Sequence, residues 1–355
     1  MLQQVHSFKT DSNPVFHMRY GGGHINDTYM VLDDTGRLYV IQKINQNVFR
    51  NPKAVMENVH AVTAYLRCRV EKLREALCLV PTKSGEDWLV DEAGDYWRMY
   101  YFITDSIVLH QAADPRDFQE SGFAFGYFQR QLADFPAEKL HETIPNFHNT
   151  PDRYRLFKEA LKADPMGRAK NVSREIEFAL AREEYAGTLM RLLASKDLPL
   201  RVTHNDTKLN NVLFDRDTRK AVCVIDLDTV MPGLSVNDFG DSIRFGASTG
   251  AEDEVDLSKI NLSLDLLESY ATGFLSACRD SLTQCELHHL RDGAKMMTLE
   301  CGTRFLTDYL GGDKYFATKR EGHNLDRCRT QYKLVAEMEK YWDEMQSIIL
   351  SSSRS

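Results

Sequence analysis

The chain has 355 residues, too many for one small core, and its length predicts two lobes or domains. A formal net charge of -8 argues against nucleic acid as the main partner, because phosphate backbones are bound by basic faces. The seven cysteines are scattered and include no Cys-x2-Cys pair, which predicts a reduced cytoplasmic protein without a zinc site or disulfides. No apolar run approaches about 18 residues, so neither a signal peptide nor a membrane span is predicted.

The first part of the chain favours strands, because short β-like runs alternate with turn sequences such as Asp33-Asp34-Thr35-Gly36. A helix is predicted between the second and third strands, since Asn51 can cap it and Pro52 suits its first position. Its apolar stripe is Val55, Val59, Val62 and Leu66. The predicted strands are residues 26–32, 38–44, 77–80, 88–90 and 96–103.

Beyond Ile103 the apolar spacing becomes helical, which predicts an N-terminal lobe of residues 1–105 and a C-terminal lobe of residues 106–355. No flexible linker separates them, so we expect a tight junction with a cleft. Asp114-Pro115 begins a helix that Pro136 ends, with a stripe of Phe125, Phe128, Leu132 and Phe135. Further helices are predicted at residues 175–193, 287–310 and 331–349.

Polar side chains of the kinds that take part in catalysis are concentrated in one segment, His204-Asn205-Asp206-Thr207-Lys208-Leu209-Asn210-Asn211. Strand-like residues 212–214 and 221–225 follow, joined by a polar turn, and Asp226-Leu227-Asp228 comes next. A hairpin of these strands sets Asn211 beside Asp226, so that two oxygen ligands converge, as a hard cation requires. The alternative is that Asp206 caps a turn that Asn210-Asn211 merely forms.

A carboxylate, an Asn five residues later and an Asp after the next strand is how kinase-like folds arrange phosphoryl transfer. Asp206 would receive the proton of the attacking hydroxyl, while Asn211 and Asp226 would hold Mg²⁺ against the nucleotide phosphates. We therefore predict the α+β class with a protein-kinase-like two-lobe fold. It would combine a small N-terminal antiparallel sheet plus helix with a larger, mainly helical C-terminal lobe that carries the catalytic β-hairpin.

Gly21-Gly22-Gly23 precedes the first strand pair and is either a plain turn or a loop whose N–H groups approach phosphates. In the second case Gly22, Gly23 and Asn26 bind the nucleotide. Kinases usually place a Lys on the strand that follows this loop.

On that strand, Gln42 is in phase with Val40, whereas Lys43 is one step out of phase and faces the opposite side. We favour Gln42 as the nucleotide contact. Glu57 is either the helical carboxylate that would pair with this strand residue, as in kinases, or a solvated surface residue.

Two further groups suit a substrate site. At least one of Asp238 and Asp241 is expected to cap the helix that follows them, and Arg244 either pairs with Asp241 or reaches the substrate. Arg304 and Tyr315 suit a sugar, because a guanidinium offers a fork of donors and an aromatic ring covers a sugar ring. The alternative for this pair is an ordinary position on a helix surface.

These segments resemble the aminoglycoside phosphotransferase and choline kinase superfamily, small-molecule kinases with a protein-kinase-like fold. The resemblance runs from Gly21 to about Glu339. Within the superfamily, the chain is most similar to the kinases that phosphorylate N-acetylhexosamines at the anomeric hydroxyl. The most family-like blocks are residues 201–211, 224–233, 238–248 and 315–319.

The resemblance implies Asp206 as the catalytic base and Asn211 with Asp226 on Mg²⁺, and it leaves Asp228 as a second metal ligand or a sugar contact. The lack of a strand Lys departs from the superfamily pattern, although Gln is usual there among the N-acetylhexosamine kinases. The remaining implied contacts are Phe102 and Ile103 for the nucleotide, and Arg304, Tyr315 and Arg244 for the sugar.

The activity implied is ATP- and Mg²⁺-dependent phosphorylation of N-acetylglucosamine or N-acetylgalactosamine to the sugar 1-phosphate, without an obligate protein partner. The main alternative is a kinase for another hexose, an aminoglycoside, choline or homoserine. Cationic acceptors call for an acidic or aromatic-caged pocket, so Arg304 and Arg244 argue for a neutral substrate. A non-catalytic nucleotide-binding protein and a metal-dependent phosphohydrolase are weaker alternatives, and the preferred epimer stays open.

Overall fold

A computed structural model describes residues 2–21, 25–112 and 114–354. A small antiparallel sheet with one helix forms the N-terminal part, and the larger C-terminal part is mainly helical, which confirms the predicted α+β class. The N-terminal elements are β1 (Pro14–Arg19), β2 (Asp27–Asp33), β3 (Leu38–Lys43), α1 (Pro52–Arg67), β4 (Leu89–Val90) and β5 (Tyr96–Tyr101).

The N-terminal sheet has the strand order β1-β2-β3-β5-β4, and every neighbouring pair is antiparallel. Because side chains alternate along a strand, Ile41 and Met99 enter a core on one face, while Gln42 and Arg98 lie opposite each other on the other face. The predictions for β2, β3 and β5 are confirmed. Residues 77–80 form only an isolated bridge at Leu79 instead of a strand.

Helix α1 joins the sheet to the C-terminal part. The Asn51 side chain accepts the N–H of Ala54 at 3.2 Å, and Pro52 is the first helical residue, so the predicted start is confirmed. Asn58 on this helix donates to the carbonyls of Val230 at 2.9 Å and His141 at 2.8 Å. The predicted stripe is buried at Val55, Val59, Val62 and Leu66.

The C-terminal part contains two small β-ladders among its helices. The predicted β-hairpin is confirmed as β8 and β9, and β6 adds a third strand on the other side of β8. The lobe boundary after residue 105 stays a prediction. The elements are β6 (Ser106–Val108), α2 (Pro115–Gln131), α3 (Thr150–Ala163), α4 (Ser173–Leu180), α5 (Glu183–Ala186), α6 (Thr188–Ala194), β7 (Arg201–Thr203), β8 (Val212–Asp215), β9 (Ala221–Val224), β10 (Met231–Gly233), α7 (Ser235–Gly246), α8 (Leu264–Cys278), α9 (Gln284–Gly311), α10 (His323–Lys340) and α11 (Trp342–Ser352).

Some helix predictions need correction. The helix predicted over 175–193 is three short helices, α4, α5 and α6, and that over 331–349 divides between α10 and α11 at Tyr341. Helix α3 and strand β1 were not predicted. The helices beginning at Pro115 and spanning residues 287–310 are confirmed by α2 and α9. Within the part of the chain that the structure describes, none of these helices is apolar and long enough to cross a bilayer.

The backbones of helices α7 and α9 approach each other closely where the helices cross, because a glycine of each helix lies at the crossing. A Cβ on Gly240 would lie 2.2 Å from the carbonyl oxygen of Gly293, and one on Gly293 would lie 1.9 Å from that of Val236. Backbone atoms cannot turn aside as a flexible side chain can. The crossing therefore fixes the position of α7 relative to α9.

We expect Gly293→Ala to lower the free energy of unfolding by about 1–3 kcal/mol, because the added methyl group overpacks this crossing. Urea unfolding followed by circular dichroism measures the change. Gly311→Ala is the matched control in the same helix, since a methyl group added there would meet no atom within 4 Å. Similar unfolding midpoints for the two variants would contradict the prediction.

Candidate active site

The segment between β7 and β8 carries Asp206, and helix α7 holds it in place. The buried Asp238 carboxylate accepts the backbone N–H groups of His204 and Asn205, both at 2.8 Å. Gln129 on α2 donates to the same carboxylate at 2.7 Å. Burial raises the pKa of Asp238 above its ordinary value, and these three donors oppose that rise. Asp206 thus projects from a loop whose backbone is anchored to the helical core.

A second carboxylate of α7 extends this anchor. Asp241 accepts the N–H of Thr207 at 3.1 Å and pairs with Arg244 at 2.8 Å. Arg244 is buried and also pairs with Glu252 at 3.0 Å, so the structure places its guanidinium between two carboxylates. Its contact with substrate stays a prediction. The expectation that Asp238 or Asp241 caps a helix is wrong, because α7 begins at Ser235 and both lie inside it.

Asp206 has two close polar neighbours. The side-chain amide of Asn211 donates to its Oδ2 at 3.1 Å and to its backbone oxygen at 2.8 Å. The Nζ of Lys208 lies 2.7 Å from its Oδ1, and the Asp206 side chain is 28% exposed. Burial lowers the pKa of Lys208, but the Asp206 carboxylate outweighs burial and the net shift is upward. Asp206 is therefore a solvent-accessible carboxylate with a fixed orientation.

Asp226 follows β9 and lies beside Asn211, because the N–H of Ile225 donates to the Asn211 carbonyl at 2.9 Å. Its backbone is left-handed, with φ 61°. Among the described residues its carboxylate has no hydrogen-bond or ion-pair partner, although it can be reached by solvent. The surrounding protein atoms reduce its hydration, and this effect together with the carboxylates of Asp228 and Asp206 raises the pKa of Asp226 to about 6.

An unpaired carboxylate beside an Asn side chain fits a divalent cation. No group of three or more His, Cys, Asp and Glu side chains in the described ranges is arranged to hold a metal by itself. Mg²⁺ does not need such a cage, since it is commonly held by one or two carboxylates together with substrate phosphates. Asn211 and Asp226 are suitable residues for that purpose.

Asp228, two residues later, contacts the N-terminal sheet. Its buried carboxylate forms an ion pair with Arg98 of β5 and accepts a hydrogen bond from the Asn26 side chain. The Nε of Arg98 donates to the Gln42 side chain at 3.0 Å, and Gln42 donates to the hydroxyl of Thr28 at 3.1 Å. Asn26 and Gln42, both predicted nucleotide contacts, thus belong to one network with Asp228.

The neighbouring charged residues point elsewhere. Lys43 lies on the opposite face of β3, with its Nζ 2.5 Å from Asp95. Glu57 of α1 is paired with His141 at 2.8 Å and with Lys53 at 3.7 Å. Lys43 and Glu57 therefore do not form the Lys–Glu pair that protein kinases require.

A cluster of arginine and aromatic residues lies in the C-terminal part. The guanidinium carbon of Arg304 is 5.6 Å from the ring centre of Phe147, 5.9 Å from that of Tyr315 and 5.5 Å from that of Phe316. No ion pair joins Arg304 to any residue that the structure describes. Arg153 donates to the Phe147 carbonyl at 2.7 Å, and burial together with Arg304 lowers the pKa of Arg153. The cluster thus contains two neighbouring cations.

This cluster is connected to the loop that carries Asp206 through His148. One ring nitrogen of His148 is 3.0 Å from the Glu300 carboxylate, and the other is 3.3 Å from the carbonyl of Asn205. Glu300 is one turn before Arg304 on α9. Arg304 therefore lies one helical turn from the residue that His148 links to the Asp206 loop. Sequence reasoning missed Phe147, His148 and Arg153, because no motif marks their segment.

Phe102 and Ile103, predicted to contact the nucleotide, lie where β5 leads into β6. The N–H of Phe102 donates to the carbonyl of Leu38 at 3.1 Å, and its ring meets that of Tyr20 edge-on, with ring centres 5.7 Å apart. Tyr20, 40% exposed, was not predicted as a site residue. Gly22 and Gly23 lie outside the described residues.

Comparison with known proteins bears on the family and the fold. The model of the phosphotransferase enzyme family matches residues 18–271, which is more than half of the chain. An amicoumacin kinase solved with AMP-PNP and Ca²⁺ has 15% sequence identity and a TM-score of 0.61, with 95% of this chain and 92% of that chain covered. A choline kinase from Cryptosporidium parvum Iowa II has 14% identity and a TM-score of 0.58, with coverage of 96% and 93%.

An aminoglycoside phosphotransferase from Alicyclobacillus acidocaldarius subsp. acidocaldarius DSM 446 has 14% identity and a TM-score of 0.59, with coverage of 99% of this chain and 96% of that chain. At such identities these structures establish the fold alone. They confirm the predicted protein-kinase-like architecture, and with the family match they confirm the predicted superfamily. The chain belongs to the phosphotransferase enzyme family.

Proposed function

We propose that this protein transfers the γ-phosphate of ATP to the anomeric hydroxyl of N-acetylglucosamine or N-acetylgalactosamine, giving the sugar 1-phosphate and ADP. The family supports transfer of a phosphate to a small alcohol. The arrangement of Asp206, Asn211 and Asp226 supports the chemistry, and the cluster around Arg304 supports the acceptor. The sequence resemblance to N-acetylhexosamine kinases favours these sugars over other neutral alcohols.

In the proposed reaction, Asp206 orients the sugar hydroxyl and accepts its proton as the oxygen attacks the γ-phosphorus and the bond to ADP breaks. An anomeric hydroxyl is more acidic than an ordinary alcohol, so the proton transfer comes late and positioning supplies much of the rate. Asn211 and Asp226 would hold Mg²⁺, which when bound would neutralise negative charge on the phosphates. Lys208 holds the Asp206 carboxylate and remains cationic, because that carboxylate raises the pKa of Lys208.

The observation that carries the acceptor assignment is the pair of neighbouring cations, Arg304 and Arg153, among aromatic rings. A positively charged acceptor such as choline or an aminoglycoside would be repelled there. Hydroxyl and N-acetyl oxygens, in contrast, accept hydrogen bonds from guanidinium donors. Tyr315 is 70% exposed and available to cover one face of a sugar ring.

We expect Arg304→Met to raise the KM for the N-acetylhexosamine about 10- to 100-fold, the loss typical of a hydrogen bond from a charged donor. The KM for ATP stays within a few-fold, because Arg304 lies on the acceptor side. A coupled assay of ADP release over a panel of sugars, choline and aminoglycosides provides the measurement. Arg320→Met, an exposed arginine paired with Asp326, is the matched control.

Two results would refute these assignments. Faster turnover of choline or an aminoglycoside than of any N-acetylhexosamine by the unaltered protein would refute the proposed acceptor. An unchanged sugar KM in Arg304→Met would refute the location of the acceptor site. Faster turnover of another neutral hexose would leave the proposed location of the acceptor site unchanged but would identify a different sugar as the acceptor.

A further inference from the structure

The N-terminal sheet carries a buried cation next to the position where kinases usually have a strand lysine. Gln42 occupies that part of β3, and Arg98 is its direct partner on β5, with 3.0 Å between the Arg98 Nε and the Gln42 side-chain oxygen. Lys43, the only lysine on β3, faces the other side and pairs with Asp95. The charge missing from one strand is therefore present on the next, on the same face of the sheet.

Arg98 is held in one position by its surroundings. Its side chain is only 1% exposed, with the Tyr100 ring 5.3 Å from its guanidinium carbon and the Met56 sulfur 4.0 Å from one nitrogen. Among the described residues, its ion-pair partner is Asp228, whose side chain is 4% exposed. A buried charge is costly unless it is well paired, so Arg98 and Asp228 constrain each other strongly.

Asp228 lies on the turn that carries the proposed metal ligand Asp226. Asn26 donates to the second oxygen of the same carboxylate and accepts the N–H of Asn45 at 2.9 Å with its own oxygen. Arg98 and Asn26 of the N-terminal part therefore meet at one buried carboxylate of this turn, in addition to the hydrogen bond from Asn58 of α1 to the Val230 carbonyl. A movement of Arg98 would change the position of Asp228 and, two residues away, that of Asp226.

We propose that Arg98 takes the place of the strand lysine: through its ion pair with Asp228, it fixes the Asp226 turn against the nucleotide-binding sheet and so positions Asp226 for Mg²⁺-ATP. Arg98 is a positioning residue, because it is buried and acts through Asp228. The inference rests on the ATP-dependent transfer proposed above but is independent of the identity of the acceptor.

The test compares Arg98→Gln, Asp228→Asn and the double variant with the unaltered full-length protein. We expect Arg98→Gln to lower kcat/KM for Mg²⁺-ATP at least about 100-fold, the scale of a misplacement of about 1 Å. The Mg²⁺ concentration for half-maximal rate should rise, whereas the sugar KM should stay within about threefold. Lys43→Gln is the matched control, a neighbouring cation on the opposite face, and we expect no change.

The double variant shows whether Arg98 and Asp228 act together as one unit or contribute independently. If the two residues act as one unit, the double variant loses about as much kcat/KM as either single variant, whereas multiplied losses overturn the proposal. Circular dichroism and melting show whether each variant is folded. If Arg98→Gln does not fold, Arg98→Lys, which keeps the charge but loses the planar fork, takes its place with the same expected direction.

A purely structural role gives a different result. In that case the variants have lower melting temperatures. At assay temperatures well below melting, however, their half-saturating Mg²⁺ concentration and kcat/KM for ATP stay within about threefold of the unaltered protein. That result would overturn the proposal. Calorimetry with Mg²⁺ and AMP-PNP needs no acceptor, and we expect at least about tenfold weaker binding in Arg98→Gln. If the unaltered protein phosphorylates no acceptor, the proposed function fails, while this binding measurement still decides the role of Arg98.

Discussion

Replacing Asp206 by asparagine should lower kcat by about two to four orders of magnitude, the range typical of removing a general base. An amide has almost the same shape as the carboxylate but cannot take the proton of the attacking hydroxyl. It also loses the ion pair with Lys208, which lies 2.7 Å away in the unaltered protein. The dissociation constant for Mg²⁺-ATP should stay within a few-fold, since Asn211 and Asp226 remain.

The measurement combines steady-state ADP release with calorimetric nucleotide binding. Asp217→Asn is the matched control, because Asp217 is exposed in the turn between β8 and β9, some distance along the hairpin from Asp206. A kcat close to that of the unaltered protein would remove Asp206 from its assigned role. A large loss of nucleotide affinity would instead place Asp206 in metal or nucleotide binding.

The local part of the site could be predicted from the sequence because it is encoded by neighbouring residues. A polar turn between two apolar runs specifies the β8–β9 hairpin, and a hairpin necessarily brings Asn211 next to Asp226. Asn51 and Pro52 mark the start of α1 for the same reason, since a helix cap involves only the first turn.

Contacts between distant segments could not be predicted in this way. Arg98 and Asp228 are 130 positions apart, and no spacing rule connects them. Asp238 looks like a helix cap in sequence, but its actual partners are the backbone of His204 and Asn205 on another segment. Strand β1 was missed because most of its side chains are exposed, so it lacks the apolar alternation of a half-buried strand.

Replacing Asp226 by asparagine should reduce kcat/KM for Mg²⁺-ATP by at least about three orders of magnitude. A bound cation contributes several kcal/mol to stabilising the charge that develops on the phosphates, and each 1.36 kcal/mol corresponds to about tenfold in rate. The variant should need far more Mg²⁺ for half-maximal rate, which a titration of the metal measures. Activity close to that of the unaltered protein at ordinary Mg²⁺ would show that Asp226 does not hold the metal.

The pH dependence of metal binding provides an independent check on the same residue. Reduced hydration and the carboxylates of Asp228 and Asp206 raise the pKa of Asp226 to about 6 when no metal is bound, so a proton competes with Mg²⁺ below that pH. The Mg²⁺ concentration needed for half-maximal AMP-PNP binding should be nearly constant above pH 7 and rise up to about tenfold per pH unit below 6. The neutral side chain of Asp226→Asn should remove this dependence. A metal requirement that rises equally in both proteins would assign the titration to another group, such as the nucleotide phosphates.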